Sequence, residues 1–197
     1  MKIYKILLLL VAGYSVLLIN SCKKDNNDEA VVPSSNQVSP FFTFGKIGNT
    51  WVDNIKITGV NDTLSFKLIE KKDSVYKFQV IHFHLFDTAY GYWYISDTEF
   101  AFSDDSLGMD KQTILKSDAS ANSTYYYVNS GDSIIDKVTS TSVNISVPAG
   151  TFNCYEVMET QPQQPDTFIY YINKDAGIVK ITGNQDNYIY RMLSKNF

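Results

Sequence analysis

From residue 40 to residue 197 apolar and polar side chains alternate in short runs, and no stretch of ten or more residues holds the three-to-four spacing of a helix. Such a chain can bury its apolar faces only by forming sheets. The clearest runs are 50–58, 63–69, 74–86, 91–102, 124–129, 142–147, 151–159, 167–172, 178–182 and 188–193, separated by segments rich in turn residues. Fourteen Tyr and 12 Phe supply bulky side chains that suit a pleated, half-buried surface. The expectation is an all-β fold: an antiparallel meander forming a curved sheet, half-barrel or sandwich-like single domain over residues 40–197.

The turns sharpen that expectation. In Val147-Pro148-Ala149-Gly150 proline presets φ at the second position and glycine suits the fourth, so 142–147 is expected to fold back on 151–157. Asn173-Lys174-Asp175-Ala176-Gly177 and Gly183-Asn184-Gln185-Asp186-Asn187 read as two further turns, which makes the last 55 residues a meander. Its inward side chains are expected to include Val143, Ile145, Val147, Phe152 and Cys154. An internal echo links Gly48-Asn49-Thr50-Trp51-Val52-Asp53-Asn54-Ile55 with Gly131-Asp132-Ser133-Ile134-Ile135-Asp136-Lys137-Val138, each a glycine turn that leads into a strand.

The first 39 residues have a different character. Lys2 and Lys5 precede an apolar stretch, 6–19, that stops at Asn20-Ser21-Cys22, the pattern of a secretory signal peptide over residues 1–21. As a helix this stretch reaches roughly 21 Å, short of the about 30 Å of hydrocarbon that a permanent span must cross. Leu18-Ile19-Asn20-Ser21-Cys22 resembles the lipobox of bacterial lipoproteins, which implies cleavage after Ser21 and acylation of Cys22, whose thiolate is the natural acyl acceptor. Two or three acyl chains, at about 0.8 kcal/mol per buried methylene, hold a protein on a membrane essentially permanently. The segment Lys23-Lys24-Asp25-Asn26-Asn27-Asp28-Glu29 resembles the start of Bacteroidota lipoproteins, which implies an outer-membrane location, on the periplasmic face or the cell surface. Residues 22–39 then form the lipidated cysteine and a polar tether, with an r.m.s. reach of roughly 20 to 25 Å.

The octad around Trp51, the Val147-to-Phe152 sequence VPAGTF, and Tyr170-Tyr171-Ile172-Asn173-Lys174-Asp175-Ala176-Gly177-Ile178-Val179-Lys180 together resemble a recurrent family of envelope β-proteins, many of them lipoproteins. The resemblance spans most of 45–180. It implies a curved antiparallel sheet, a half-barrel similar to lipoprotein carriers of the LolA type, and no established activity. The motifs themselves are better explained by turn and packing geometry than by chemistry. Two departures stand out: Ile134 occupies the second octad's place for tryptophan, and no helical stretch is present to pack inside a half-barrel.

Chemistry-bearing patterns are sparse. Seventeen basic against 21 acidic side chains, with no dense Lys/Arg cluster, disfavour nucleic acid as a partner. His82 and His84 sit two apart on one strand face and are weak candidates for metal ligands, since no third ligand lies at metal-site spacing; the bland reading is a histidine-bearing aromatic strand. There is no nucleophile elbow, phosphate loop or dinucleotide fingerprint, and Cys154 lies in an apolar alternating strand, where a thiol is usually inert. The loop around Asp104-Asp105 lacks the bidentate glutamate of an EF-hand. Neither enzymatic activity nor a cofactor is expected.

Two clusters of rings, Tyr92-Trp93-Tyr94 and Tyr125-Tyr126-Tyr127, are candidates for ligand contact, with Tyr92, Trp93, Tyr94, Tyr125 and Tyr127 as the binding set, because exposed rings stack on sugars or fill a partner's pocket. Packing within the sheet is the competing explanation. Asp-Ser/Thr-aliphatic triplets resemble acceptor sites for O-glycosylation of exported Bacteroidota proteins, which implies Thr63, Ser74, Thr88, Ser106 and Ser133 as acceptors; such pairs are also ordinary turn chemistry. The combined expectation is a lipid-anchored envelope protein with a non-catalytic binding or scaffolding role. Its partners are the membrane through the anchor and an envelope protein, a glycan or a lipid through the body. A carrier of an apolar ligand in a concave sheet and a glycan-binding surface module are the alternatives.

Overall fold

The structure is a computed structural model that describes residues 41–57, 60–82, 87–129, 132–162, 167–184 and 189–197. The expected signal peptide, Cys22 and the tether lie outside the described residues. The described strands are β1 (Thr50–Ile57), β2 (Val60–Lys72), β3 (Val75–His82), β4 (Asp87–Ile95), β5 (Glu99–Ser103), β6 (Lys111–Lys116), β7 (Thr124–Asn129), β8 (Asp132–Val147), β9 (Gly150–Thr160), β10 (Thr167–Asn173), β11 (Gly177–Gly183) and β12 (Ile189–Lys195). They form one antiparallel sheet in the order β6-β5-β4-β3-β2-β1-β12-β11-β10-β9-β8-β7. Two six-stranded meanders are thus joined where β1 pairs with β12. Their far edges, β6 and β7, approach each other without a backbone ladder, so the sheet is a nearly closed barrel with one open seam. The all-β antiparallel expectation holds.

Local chemistry sets the corners. Asp73, at φ 54°, makes the tight turn between the paired residues Lys72 and Val75. Val147 pairs with Gly150 around Pro148 and Ala149, as the turn residues predict. Asn173 closes the β10–β11 turn by accepting from the Asp175 and Ala176 amides through Oδ1, both at 2.9 Å, and Gly177 follows at φ 78°. One expected strand is corrected. Residues 91–102 are not continuous, because the Ser96 hydroxyl accepts from the amides of Thr98 and Glu99 and folds the chain back, which ends β4 and starts β5. Alternation alone does not reveal such a turn. β6 is an element that the pattern did not single out, and the first half of β8 was indicated only by the second octad.

Pairing carries one face around the sheet. Trp51 lies opposite Phe66, Phe66 opposite Val80, and Val80 opposite Ala89, all on the inner side. Residues 41–49 fold under the end where β1 begins, with the Thr43 amide donating to the Lys174 carbonyl and Asn49 Nδ2 to the Phe44 carbonyl. Phe44 is fully buried and meets Trp51, Trp93 and Phe100 edge-on, at centroid distances of 6.4, 6.2 and 5.2 Å. Gly91 is required by the same packing: the Phe78 Cζ lies 2.4 Å from where a Cβ would stand. Phe78 in turn packs at 4.8 Å on Trp93. The expected concavity is therefore filled at this end by aromatic side chains of the sheet and of its leading segment. The two octads occupy unequal places, since β1 is the first strand of its meander and β8 the second of its own.

Candidate functional site

The opposite half of the interior holds buried polar side chains among its apolar ones, and one group of them lies at the seam. β8 and β9 set Asp136 directly opposite Glu159, and both side chains point inward with Val138 and Val157. Like charges in that position repel, and both groups are buried, at 1% and 5% exposure. Gln112 of β6 reaches across the seam and donates through Nε2 to Asp136 Oδ2 at 2.8 Å and to Glu159 Oε2 at 3.0 Å. The Tyr170 hydroxyl also donates to Glu159 Oε2, at 2.9 Å, while Asp136 Oδ1 has no hydrogen-bond partner among the described residues. Burial first, and the charge of Glu159 second, push the Asp136 carboxyl up to about 8 against the opposing Gln112 bond, so it keeps its proton at neutral pH. A protonated carboxyl beside an acceptor removes the repulsion that the register would otherwise impose.

A second interior carboxyl, Asp53 on β1, is fully buried and among the described residues makes no hydrogen bond of good geometry through either oxygen. Burial pushes it up to about 8, and the Tyr190 hydroxyl offsets only part of that penalty. Elsewhere on the inner face His82 Nδ1 stands 3.5 Å from Asp62 Oδ2, with both residues buried. His84 lies outside the described residues, and no cluster of three or more metal-ligating side chains occurs among those described. Cys154 is buried and its thiol is pushed up to about 12 by burial, the setting of an inert core thiol.

The aromatic candidates are not brought together as one platform. Trp93 is 6% exposed and belongs to the core, whereas its neighbours Tyr92 and Tyr94 face outward, as alternation predicts. Lys111 Nζ sits 3.6 Å above the Tyr94 ring and Lys77 Nζ 4.9 Å above Tyr90, so cations cover two of the three outward rings of β4. Tyr125 and Tyr127 are inward and close the seam. Tyr125 Oη accepts the Lys116 amide at 3.3 Å, and the Tyr127 hydroxyl lies 2.9 Å from both Asp104 Oδ2 and Asp110 Oδ1. Burial and these two carboxylates raise the Tyr127 phenol above its ordinary range. The most exposed ring of the two clusters is Tyr126, at 76% exposure on the outer face of β7. Of the candidate glycosylation hydroxyls, Thr63, Thr88 and Ser133 lie on the outer face of strands, and Ser74 and Ser106 lie in turns.

The seam acids escaped the sequence reading because 132–141 was not among the alternating runs; the octad echo pointed to a strand there without giving Asp136 an inward phase. The available signal was a carboxylate in the inward phase of each strand: Ile134, Asp136 and Val138 in one, Val157 and Glu159 in the other. Chemically the group is a buried, hydrogen-bonded latch across the seam. No protein-family model and no curated protein matches the chain. Among solved structures the chain is similar to the crystal structure of MucB, with a TM-score of 0.41 and 10% identity over 78% of this chain and 54% of that one. The chain thus spans about half the length of the MucB chain.

Proposed function

We propose that the protein is a lipid-anchored, non-catalytic binding protein of the bacterial outer membrane. Cys22 carries the acyl chains, residues 23–39 form the tether, and the β body meets its partner on the outer surface. The observation that supports this reading best is the lipobox-like sequence ending in Cys22, directly after an apolar stretch too short to span. The body adds support: its carboxyls of raised proton affinity, Asp53 and Asp136, are sealed from any substrate, which disfavours acid–base catalysis. Glycosylation is proposed at Thr63, Thr88 and Ser133, which lie on the outer face of their strands. The test is metabolic labelling with an alkyne analogue of palmitate. Wild type is expected to take up label and sediment with membranes, and Cys22→Ala to lose the label and become soluble. An unlabelled wild-type protein overturns the reading.

The seam favours one second reading, a carrier of an apolar ligand that enters between β6 and β7. No backbone ladder joins these edges, and the Asp136–Glu159 latch weakens when Asp136 ionises. On this reading an apolar fluorescent probe brightens with the wild type as pH rises through about 8, and Asp136→Asn blunts that rise. Equal fluorescence of the two proteins across the range removes the carrier reading.

A further inference from the structure

We propose that the β body carries a binding site for a phosphate monoester beneath the Pro148 turn; the site stands independently of the lipid anchor. Register places Lys180 of β11 directly opposite Arg191 of β12, while Ile181 and Tyr190 beside them point inward, so both basic side chains emerge on the outer face. Two cations in directly opposed positions destabilise a sheet. Among the described residues neither has a carboxylate within ion-pair distance: the ion pairs present are His82–Asp62, Lys111–Glu99 and Lys174–Asp175. The Lys180 ammonium lies instead over the Tyr171 ring, 5.6 Å from its centroid. Arg191 is the chain's single arginine, in a protein of net charge −4, so the pairing is not a by-product of general basicity.

The β8–β9 hairpin roofs this pair. Register shifts between Val138 and Val143 bend the hairpin, and its tip reaches β12, where the Ala149 amide donates to the Met192 carbonyl at 3.3 Å, one residue past the end of the β11–β12 ladder. The result is a recess of about 210 Å³ whose polar lining, among the described residues, is Lys180, Arg191, Thr182 and Ser146, the last with its hydroxyl paired to that of Thr151 at 2.9 Å. Among the described residues no carboxylate lines it. Ammonium, guanidinium and the Thr182 hydroxyl match an oxyanion, and the arginine fork can bind two of its oxygens at once. Val147, Pro148 and Ile189 complete the wall with apolar surface. That surface suits the carbon skeleton next to the phosphate, which selects a monoester over the bare ion. The shared chemistry is the phosphomonoester, whether carried by a small soluble molecule or by a lipid headgroup.

The experiment titrates the purified full-length protein with glycerol 3-phosphate, with dihexanoyl phosphatidic acid and with inorganic phosphate, and reads binding by calorimetry and by the shift in melting temperature. Saturable, salt-sensitive binding of a monoester at about 1 mM or tighter is expected, weakened about tenfold or more in Arg191→Gln and in Lys180→Gln and unchanged in Lys72→Gln. In the absence of ligand Arg191→Gln is expected to melt no lower than wild type, because it relieves the opposed charges. A preference for glycerol 3-phosphate assigns a soluble source, and a preference for the phosphatidic acid assigns a lipid headgroup. Absence of saturable monoester binding, tighter binding of inorganic phosphate than of either monoester, or equal loss in Lys72→Gln overturns the proposal.

Discussion

At pH 9 Asp53→Asn is expected to be more stable than the wild type by several kcal/mol, and at pH 4 the advantage is expected to vanish. The sign follows from proton binding. Asp53 and Asp136 are each raised from 3.8 to about 8 by burial, so the folded state holds protons that the unfolded state has already released between those limits. Stability falls with pH wherever the folded state binds more protons. The contribution of these groups is therefore complete below about pH 4, declines as pH climbs, and levels off above about 8. Each unit of raised proton affinity corresponds to about 1.4 kcal/mol, so the loss across this window is on the order of several kcal/mol for one buried group. Asparagine imitates the protonated acid and has nothing to ionise. Denaturant melts of wild type, Asp53→Asn and Asp136→Asn at one-unit steps from pH 4 to pH 9 should give a falling wild-type curve and shallower variant curves. Parallel curves would show that these carboxyls ionise in the folded state as freely as in the unfolded one.

The same carboxyls mark where sequence reasoning stopped. Turn chemistry and alternation were legible because they are local: Pro148 and Gly150 specify a hairpin, Asn173 and Gly177 another, and period-two runs give the strands between. The Ser96 turn was passed over although Ser96 and Asp97 are turn formers, because strand-like residues flank them on both sides. Closure of the sheet was hidden for a different reason. It depends on β1 finding β12 and on Gln112 finding Asp136, contacts between residues far apart in the chain that leave no periodic trace. For the ring clusters alternation gave the correct opposition of Trp93 to Tyr92 and Tyr94, but which side was buried depended on Phe44 and Phe100, brought in from elsewhere. The basic recess under Pro148 was likewise beyond a linear reading, because Ser146, Lys180 and Arg191 meet only after the hairpin bends.

Trp51→Ala is expected to cost about 3–5 kcal/mol, and Trp51→Phe about 1–3 kcal/mol, and the difference between them separates packing from hydrogen bonding. Trp51 is 2% exposed and meets Trp93 at 5.6 Å, Phe44 at 6.4 Å and Phe197 at 5.0 Å, so truncation to alanine opens a cavity among rings that cannot all close on it. Its Nε1 donates to the Ala176 carbonyl at 2.7 Å, which fastens the β10–β11 turn to β1. Phenylalanine keeps most of the ring contact and leaves that carbonyl buried without its donor. The same turn holds the leading segment through the Lys174 carbonyl and the Thr43 amide, and packs Phe44 against Gly177. Loss of the indole N–H should therefore loosen the turn and the segment at 41–49 before the rest of the sheet. Hydrogen exchange of Trp51→Phe is expected to show faster exchange at the Thr43 amide, with β2 and β3 protected as in wild type. If Trp51 were instead a ligand contact, both substitutions would leave stability nearly unchanged. The glycine turn before Trp51 and the Asp175-Ala176-Gly177 turn would then have no reason to occur in one chain, whereas the hydrogen bond between them makes each the structural complement of the other.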